Sequence, residues 1–460
     1  MTGRLAGALG LVLLVAALVL GALAADRLAA GTETALELDL ATPAIGTATD
    51  VRARVRREAP GIANAALILE QGDRSVELDR FDAAPARGSP WPAGGEVRLE
   101  AKVGRGSPSW LAEGEGILRL VVTPRAGFGR SGPTRSVERR VAIRFRPPTL
   151  ERLSELPAPG AGGSGLVAFR VAPHVVASGI EVDGIRSLSS PAPDAPGVRF
   201  VVLALPHDVG PDRAPVLFAE DDAGHRTEQL LFEHWPDPTL RHDTIAIDAA
   251  FLERVVPPLV ARVPEVELPD DPLGRYLWVN RELRARSRAS VADLSGGSAP
   301  AFLWRGAFVG LENAATTGRF GDQRTYTYQA DTIDRQVHLG LDLASTSRAP
   351  VLAPNAGKVR FVGPLGIYGN TVIVDHGFGL TSLLAHLSRI GVEKGQWVTR
   401  GQEVGRTGST GLSGGDHLHW GLFVHGVAID PEPWLDPEWV DGPVQEVLAQ
   451  LIDPGPRAER

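Results

Sequence analysis

The sequence predicts a mainly β protein in several parts: an N-terminal membrane segment, two β-sandwich (immunoglobulin-like) modules, a short helical linker and a C-terminal β-rich domain. Three observations carry this. Short runs of alternating polar and apolar residues, broken by Gly and Pro, recur over most of the chain. From Leu5 to Ala25 every residue is apolar or Gly. Helical spacing of apolar residues is concentrated in one stretch, between Ile247 and Leu294, with one further short helix expected after Pro443. A chain of 460 residues is also too long for one ordinary core.

The elements follow in order. The apolar run ends at Asp26 and Arg27, is long enough to span a bilayer and exceeds a typical signal h-region. Ala22-Leu23-Ala24 also fits a cleavage site. Residues 1–25 are therefore read as a signal-anchor ahead of a cleaved signal peptide. Either reading exports the rest of the chain to the periplasmic side of the cell envelope, anchored in the inner membrane or secreted. Residues 26–147 form a first sandwich, with strands at Leu36–Leu40, Ala66–Glu70, Ile117–Thr123 and Arg140–Phe145. Pro147-Pro148 marks a boundary. Residues 148–245 form a second sandwich, with strands at Gly165–Val171, Gly179–Val182 and Val198–Ala204. Both modules are read as spacers, with a cell-wall protein as the partner they would take.

Residues 246–300 are the helical linker. Asp248 is the N-cap of a helix carrying Leu252, Val255 and Val256, which Pro257-Pro258 should interrupt. A second helix starts near Asp271 and overlaps an Arg-rich run, Arg281 to Arg288, read as a solvated face. Residues 301–440 return to short strands with Gly turns: Val351–Ala353, Lys358–Val362, Thr371–Val374, Leu380–Leu384, Val398–Gly405 and Trp420–Val424. Residues 441–460 are a tail.

Composition narrows the chemistry. Lys plus Arg number 47 against 55 Asp plus Glu, a formal net charge of -8, which argues against a nucleic-acid partner. Cysteine is absent, so disulfides, thiolate metal sites and cysteine nucleophiles are excluded. A metal site here must use His, Asp and Glu, the donor set of catalytic more than structural sites.

Two clusters fit that description. In Val337-His338-Leu339-Gly340-Leu341-Asp342 an unbroken strand would hold His338 and Asp342 about 13 Å apart. Gly340 permits the bend that brings both to one ion. In His417-Leu418-His419, residues two apart on a strand share a face about 7 Å apart, so one imidazole can ligate while the other reaches the space beside it. His386, in Leu384-Ala385-His386-Leu387, adds a third imidazole. His376 in a Gly-rich turn, His425 at a hairpin tip, and His174, His207, His225, His234 and His242 show no ligand spacing. Gly408–Gly415 lacks the ending of a phosphate loop and is read as a mobile wall of the cleft.

The segment from Trp304 to Leu435 resembles the LytM/lysostaphin-type zinc metallopeptidases, whose pattern is an HxxxD motif, a later His and an HxH motif. Gly318-Arg319-Phe320-Gly321, Ala353 to Val359, Val374-Asp375-His376-Gly377, Gly408-Ser409-Thr410-Gly411 and Val427 to Pro431 also fall in family order. The resemblance implies one Zn2+ held by His338, Asp342 and His419, with the fourth position left to a water nucleophile. It implies His417 as general base and His386 polarising the peptide carbonyl, roles the two can exchange. It implies an endopeptidase acting on the peptide cross-links of bacterial peptidoglycan. The chain departs from the family pattern at Leu384, where Tyr is frequent, and at Asp416 and Gly421 around the HxH motif. Relatives that have lost zinc ligands act as non-catalytic activators of cell-wall amidases; none of the ligands is lost here. A lipoyl-like carrier, suggested by Val392–Gly405, would need an exposed Lys at a hairpin tip, and Lys358 is wrongly placed. A latent form, with the 246–300 linker or an N-terminal loop over the zinc, is a further expectation.

Overall fold

The computed structural model describes residues 33–440, 442 and 447, apart from 59–60, 84–94, 126–130, 155, 157, 193–194, 211–212, 233–235, 237–240 and 264. The 1–25 segment, His234 and most of the 441–460 tail lie outside the described residues. Among the described residues no helix is long and apolar enough to cross a membrane. The structure is mainly β and divides into two compact units, Met1–Pro148 with Glu220–Arg226, and Thr149–Ala219 with Thr227–Arg460.

In the first unit, alternation makes the sheets. Along Ala48–Arg57, Val51, Ala53 and Val55 point inward while Arg52 and Arg56 stay exposed. This strand pairs antiparallel with Thr34–Leu40 and Gly95–Gly104. A second antiparallel sheet runs Arg74–Asp82, Ile62–Gln71, Gly114–Pro124, Arg135–Ile143. Their inward faces enclose one core that includes Val51, Val55, Leu67, Leu69, Leu118 and Leu120.

The second unit opens with another pair of sheets, but its strand Ser164–Val171 is buried at every position except Arg170. Both faces are covered, the condition under which a strand loses its polar alternation. Val167 and Phe169 face a local core with Val201 and Leu203. Leu166 and Ala168, with Phe200 and Val202, are continuous with Trp304, Phe308 and Trp434 of the C-terminal domain. The Phe200 ring meets Phe378 edge-on at 4.7 Å, and Trp434 Nε1 donates to Ser164 Oγ at 3.0 Å. The segment after Thr149 and the C-terminal domain therefore share a core.

The helical stretch packs on the same domain. Helix Ala249–Val260 is capped by Asp248, whose side chain accepts from Phe251 N at 2.7 Å. Pro257 and Pro258 do not interrupt it. They sit on its exposed side in the last turn, and the carbonyls of Glu253 and Arg254 that they leave unbonded belong to exposed residues. Asp271 caps a second helix, Pro272–Trp278, which passes through a π-turn at Val279–Leu283 into Arg284–Ser295. The Arg-rich run is a solvated face only in part: Arg281 and Arg286 are exposed, whereas Arg284 and Arg288 are half-buried. Arg281 pairs with Asp334 at 3.0 Å, and Arg288 donates to Val337 O at 2.9 Å.

Two sheets position the site. In the larger, strands Ala315–Gly318, Leu341–Ala344, Leu418–Val424, Leu380–Ala385, Asn370–Gly377, Gly357–Pro364 and Trp397–Val398 lie side by side in that order. In the smaller, His242–Ile247 runs parallel to Gln323–Tyr328, which pairs antiparallel with Asp331–Val337. The expected strand Val398–Gly405 is split. Trp397–Val398 and Glu403–Arg406 belong to different sheets, joined through Gly401 at φ 80°.

Candidate metal centre

Cross-strand register brings the motifs together. Asp342 lies directly opposite His419, and His419 directly opposite Ala385, so HxxxD, HxH and the residue before His386 occupy adjacent rungs of one sheet. The chain breaks between Val337 and Leu341, where it bends at Gly340. Gly340 has a second role the sequence does not show: a Cβ there would lie 2.5 and 2.7 Å from the His419 ring. His338 is fixed at both backbone ends, its N donating to Asp322 O at 2.9 Å and its O accepting from Gly321 N at 2.8 Å.

The three donor atoms converge. His338 Nε2 is 3.0 Å from Asp342 Oδ1 and 3.1 Å from His419 Nδ1, and His419 Nδ1 is 2.8 Å from Asp342 Oδ1. All three residues are buried, and they form the only such group of potential metal donors among the described residues. His338 Nδ1–H donates to Arg319 O at 2.8 Å, which leaves Nε2 of the neutral ring as a lone pair facing a carboxylate oxygen. Acceptors facing one another in a buried site are resolved by a shared cation. Tetrahedral ligands with bonds of about 2.0–2.1 Å stand about 3.3 Å apart, and the observed spacings come within a few tenths of an ångström of that. The residues fit a metal with an N2O donor set.

Two more imidazoles complete the cleft. His386 follows strand Leu380–Ala385 directly and takes a left-handed backbone, φ 61°, unusual outside Gly and the kind of strain that collects at functional positions. Its N donates to Tyr368 O at 2.9 Å and its Nδ1–H to Thr410 O at 2.7 Å. His417 Nδ1–H donates to Gly415 O at 2.9 Å, and its Nε2 stands 3.6 Å from Asp342 Oδ1. The His386 and His417 rings are 4.9 Å apart.

Electrostatics separates these groups. Burial opposes ionisation of Asp342, yet the imidazoles of His338, His417 and His419 together hold its carboxyl well below the usual range. Burial depresses His386 to about 3, helped by His417 and His419 nearby. His419 falls to about 4, again through burial, against the pull of Asp342. Burial also works against His417, but the hydrogen bond and charge of Asp342 prevail and raise it.

Sequence reasoning missed several contributors. Arg324 Nη2 donates to Asp342 Oδ2 at 2.7 Å, holding the carboxylate oxygen that does not face the imidazoles. Gly318 leaves room for this pair, since a Cβ there would be 2.4 Å from Arg324 Nη2. No local motif marks Arg324, because it sits on a different strand 18 residues before its partner. The cleft, of about 400 Å³, is also lined by Phe251, Tyr276 and Arg284 from the helical stretch and by Leu412 to Asp416. That stretch adds a wall and, among the described residues, no metal donor. Leu384 is fully buried in the core, and Tyr368 supplies an aromatic ring 5.7 Å from that of His419. Asp416 accepts from Arg348 N at 3.1 Å. His376 lies in a strand instead of a turn, fully buried between Ala356 O at 2.8 Å and Ser382 Oγ at 2.9 Å.

Residues 336–431 match the model of Peptidase family M23, and all five predicted site residues fall inside that span. The chain is 38% identical over 96 residues to the DD-carboxypeptidase/endopeptidase Mpg of Neisseria meningitidis, covering 21% of this chain and 22% of that protein. It is 37% identical over 183 residues to the peptidoglycan DD-endopeptidase ShyB of Vibrio cholerae, covering 34% of this chain and 39% of that protein. Among solved structures, the catalytic domain of lysostaphin from Staphylococcus simulans aligns at 30% identity with a TM-score of 0.24, covering 27% of this chain and 92% of that one. The chain thus spans well under half the length of these curated relatives. The HxxxD and HxH strands that meet in the sheet are those of a C-terminal domain that belongs to peptidase family M23.

Proposed function

We propose that this chain is a zinc endopeptidase that hydrolyses peptide cross-links of bacterial peptidoglycan. The observation that carries the reading is the convergence of His338 Nε2, Asp342 Oδ1 and His419 Nδ1, each 2.8–3.1 Å from the others, at the floor of a cleft. The names of the curated relatives supply the substrate class. When bound, zinc supplies Lewis acidity and lowers the pKa of water toward neutrality. His338, Asp342 and His419 hold the ion, and Arg324 keeps Asp342 oriented.

His417 is the proton acceptor in this reading. Its Nδ1–H is given to Gly415 O, so the neutral ring turns Nε2 toward the site, where it can accept a proton. His386 is kept neutral by burial, and with Nδ1–H given to Thr410 O its Nε2 can only accept. In the neutral form it suits orienting an N–H or O–H of substrate or water; in the protonated form it would polarise the peptide carbonyl, the role the family resemblance implies. The intact donor set favours the enzyme over a non-catalytic activator of amidases.

The wider reading rests on sequence. Residues 1–25 anchor the chain in the inner membrane with the remainder on the periplasmic side, and the two-sheet modules are immunoglobulin-like spacers that offer surface to a cell-wall protein. The purified protein, incubated with cell-wall sacculi with and without a chelator, tests the central proposal. Release of cross-link peptides that stops with the chelator and returns with zinc is expected; sacculi left intact under all three conditions would refute it.

A further inference from the structure

The helical stretch before the M23 match contributes to the cleft two groups that the zinc chemistry leaves unused. Tyr276 is fully buried, and its hydroxyl has no hydrogen-bond partner among the described residues, although the residue lines the cleft. Native proteins seldom leave a buried polar atom unsatisfied, because the lost solvation is not returned. Burial pushes this phenol far above its ordinary pKa, so it is a permanent O–H donor.

Arg284 lines the same cleft. Its Nε donates to Asn280 O at 3.0 Å and its Nη2 to Asn280 Oδ1 at 2.6 Å, while Nη1 has no hydrogen-bond partner among the described residues. Asn280 is itself fully buried, and its Nδ2 donates to Asp334 Oδ2 at 2.8 Å. A buried amide and a carboxylate thus fix one edge of the guanidinium and leave the other free.

The π-turn Val279–Leu283 sets the relation between the two groups. In a regular helix residues eight apart would be rotated by about 80°, at 3.6 residues per turn. Absorbing one extra residue in a π-turn reduces this to roughly 20°. Tyr276, Asn280 and Arg284 therefore share a face, and single π-turns of this kind are frequent at functional sites.

Both free groups are donors, and one carries a full positive charge. Asp243, which also lines the cleft, is exposed and screened by water. We propose that Tyr276 Oη and Arg284 Nη1 form a subsite for a free carboxylate of the peptide substrate, in the cleft that His338, Asp342 and His419 also line. This subsite comes from the helical stretch outside the matched M23 residues, and it rests on reading the cleft as a peptidase site.

Binding separates the two claims. The intact protein, stripped of metal with a chelator so that no cleavage occurs, is titrated calorimetrically with an N-acetylated tripeptide ending in D-alanyl-D-alanine and with its C-terminal amide. The free acid should bind roughly tenfold or more tightly than the amide, as for a charge-assisted hydrogen-bond pair. Tyr276→Phe and Arg284→Gln should each reduce that preference several-fold. Tyr276→Phe removes a hydroxyl that no group among the described residues uses, so its melting temperature should be equal or higher while the preference falls. Equal binding of acid and amide, undetectable binding of the acid at millimolar concentration, or an undiminished preference in both variants would overturn the subsite. Chelator-sensitive cleavage of sacculi could still stand, and its failure would leave a measured carboxylate preference intact.

Discussion

Each atom of Asp342 is occupied, and this makes the centre sensitive to residues outside the motifs. Oδ1 faces the imidazoles and Oδ2 is held by Arg324 in a pair with little solvent access. Arg324→Met keeps the bulk and removes the donor, leaving Oδ2 free to rotate. Zinc affinity, measured by competition with a chromogenic chelator, should fall about 10- to 100-fold; unchanged affinity would show that Arg324 does not position the ligand. A different histidine, outside the metal centre, contributes to acid stability. His376 is fully buried, and burial lowers it from 6.5 to about 4. The unfolded imidazole takes up a proton near pH 6.5, the folded one only near pH 4. Its contribution is thus complete above pH 6.5 and is lost as the pH falls toward 4, by about 3 kcal/mol in all. Urea titrations of His376→Gln and of the parent protein across that range should show a shallower acid loss in the variant.

At the scale of elements, the cleft is built from strands that carry donors and helices that carry a wall. The helix Ala249–Val260 buries Leu252, Val255, Val256 and Leu259 against Tyr276 and Tyr326, and Phe251 meets Tyr276 edge-on at 6.2 Å. Its start depends on Asp248, so Asp248→Ala should cost about 1 kcal/mol, read as a lower urea midpoint at unchanged slope. The cap, the spacing and the second start at Asp271 were all legible in the sequence, because caps and periodicity are local. The continuation through Pro257-Pro258 was not, because it depends on which side of the helix meets solvent. The arginine run was read only in part for a related reason: the partners of Arg281 and Arg288, Asp334 and the carbonyl of Val337, lie about fifty residues away in sequence.

For the second unit as a whole, the core is continuous from Leu166 and Phe200 to Trp304 and Trp434. A chain starting at residue 301 would expose the face of Trp304, Phe308 and Trp434 that the sheet of Ser164–Val171 and Val198–Ala204 covers. Such a truncation should melt at lower temperature than the intact protein and scatter light on standing. If both melt together, the shared core contributes nothing to stability. Activity comparisons between full-length and truncated forms therefore need the stability control first.

The sequence by itself narrowed the chemistry to an imidazole and carboxylate site. With no cysteine, the two motifs His338–Asp342 and His417–His419 were readable because their residues lie within four positions of each other, while His386 and the choice of ligands came from the family resemblance. The β character of most of the chain was equally local, since alternation and turn residues are properties of short windows. Only the tertiary structure decided what surrounds the centre. Register placed Asp342 opposite His419; packing placed Arg324 behind the carboxylate and Tyr276 and Arg284 in the cleft wall. These are contacts between strands and helices distant in sequence, and burial alone makes an unpaired hydroxyl or a held guanidinium meaningful.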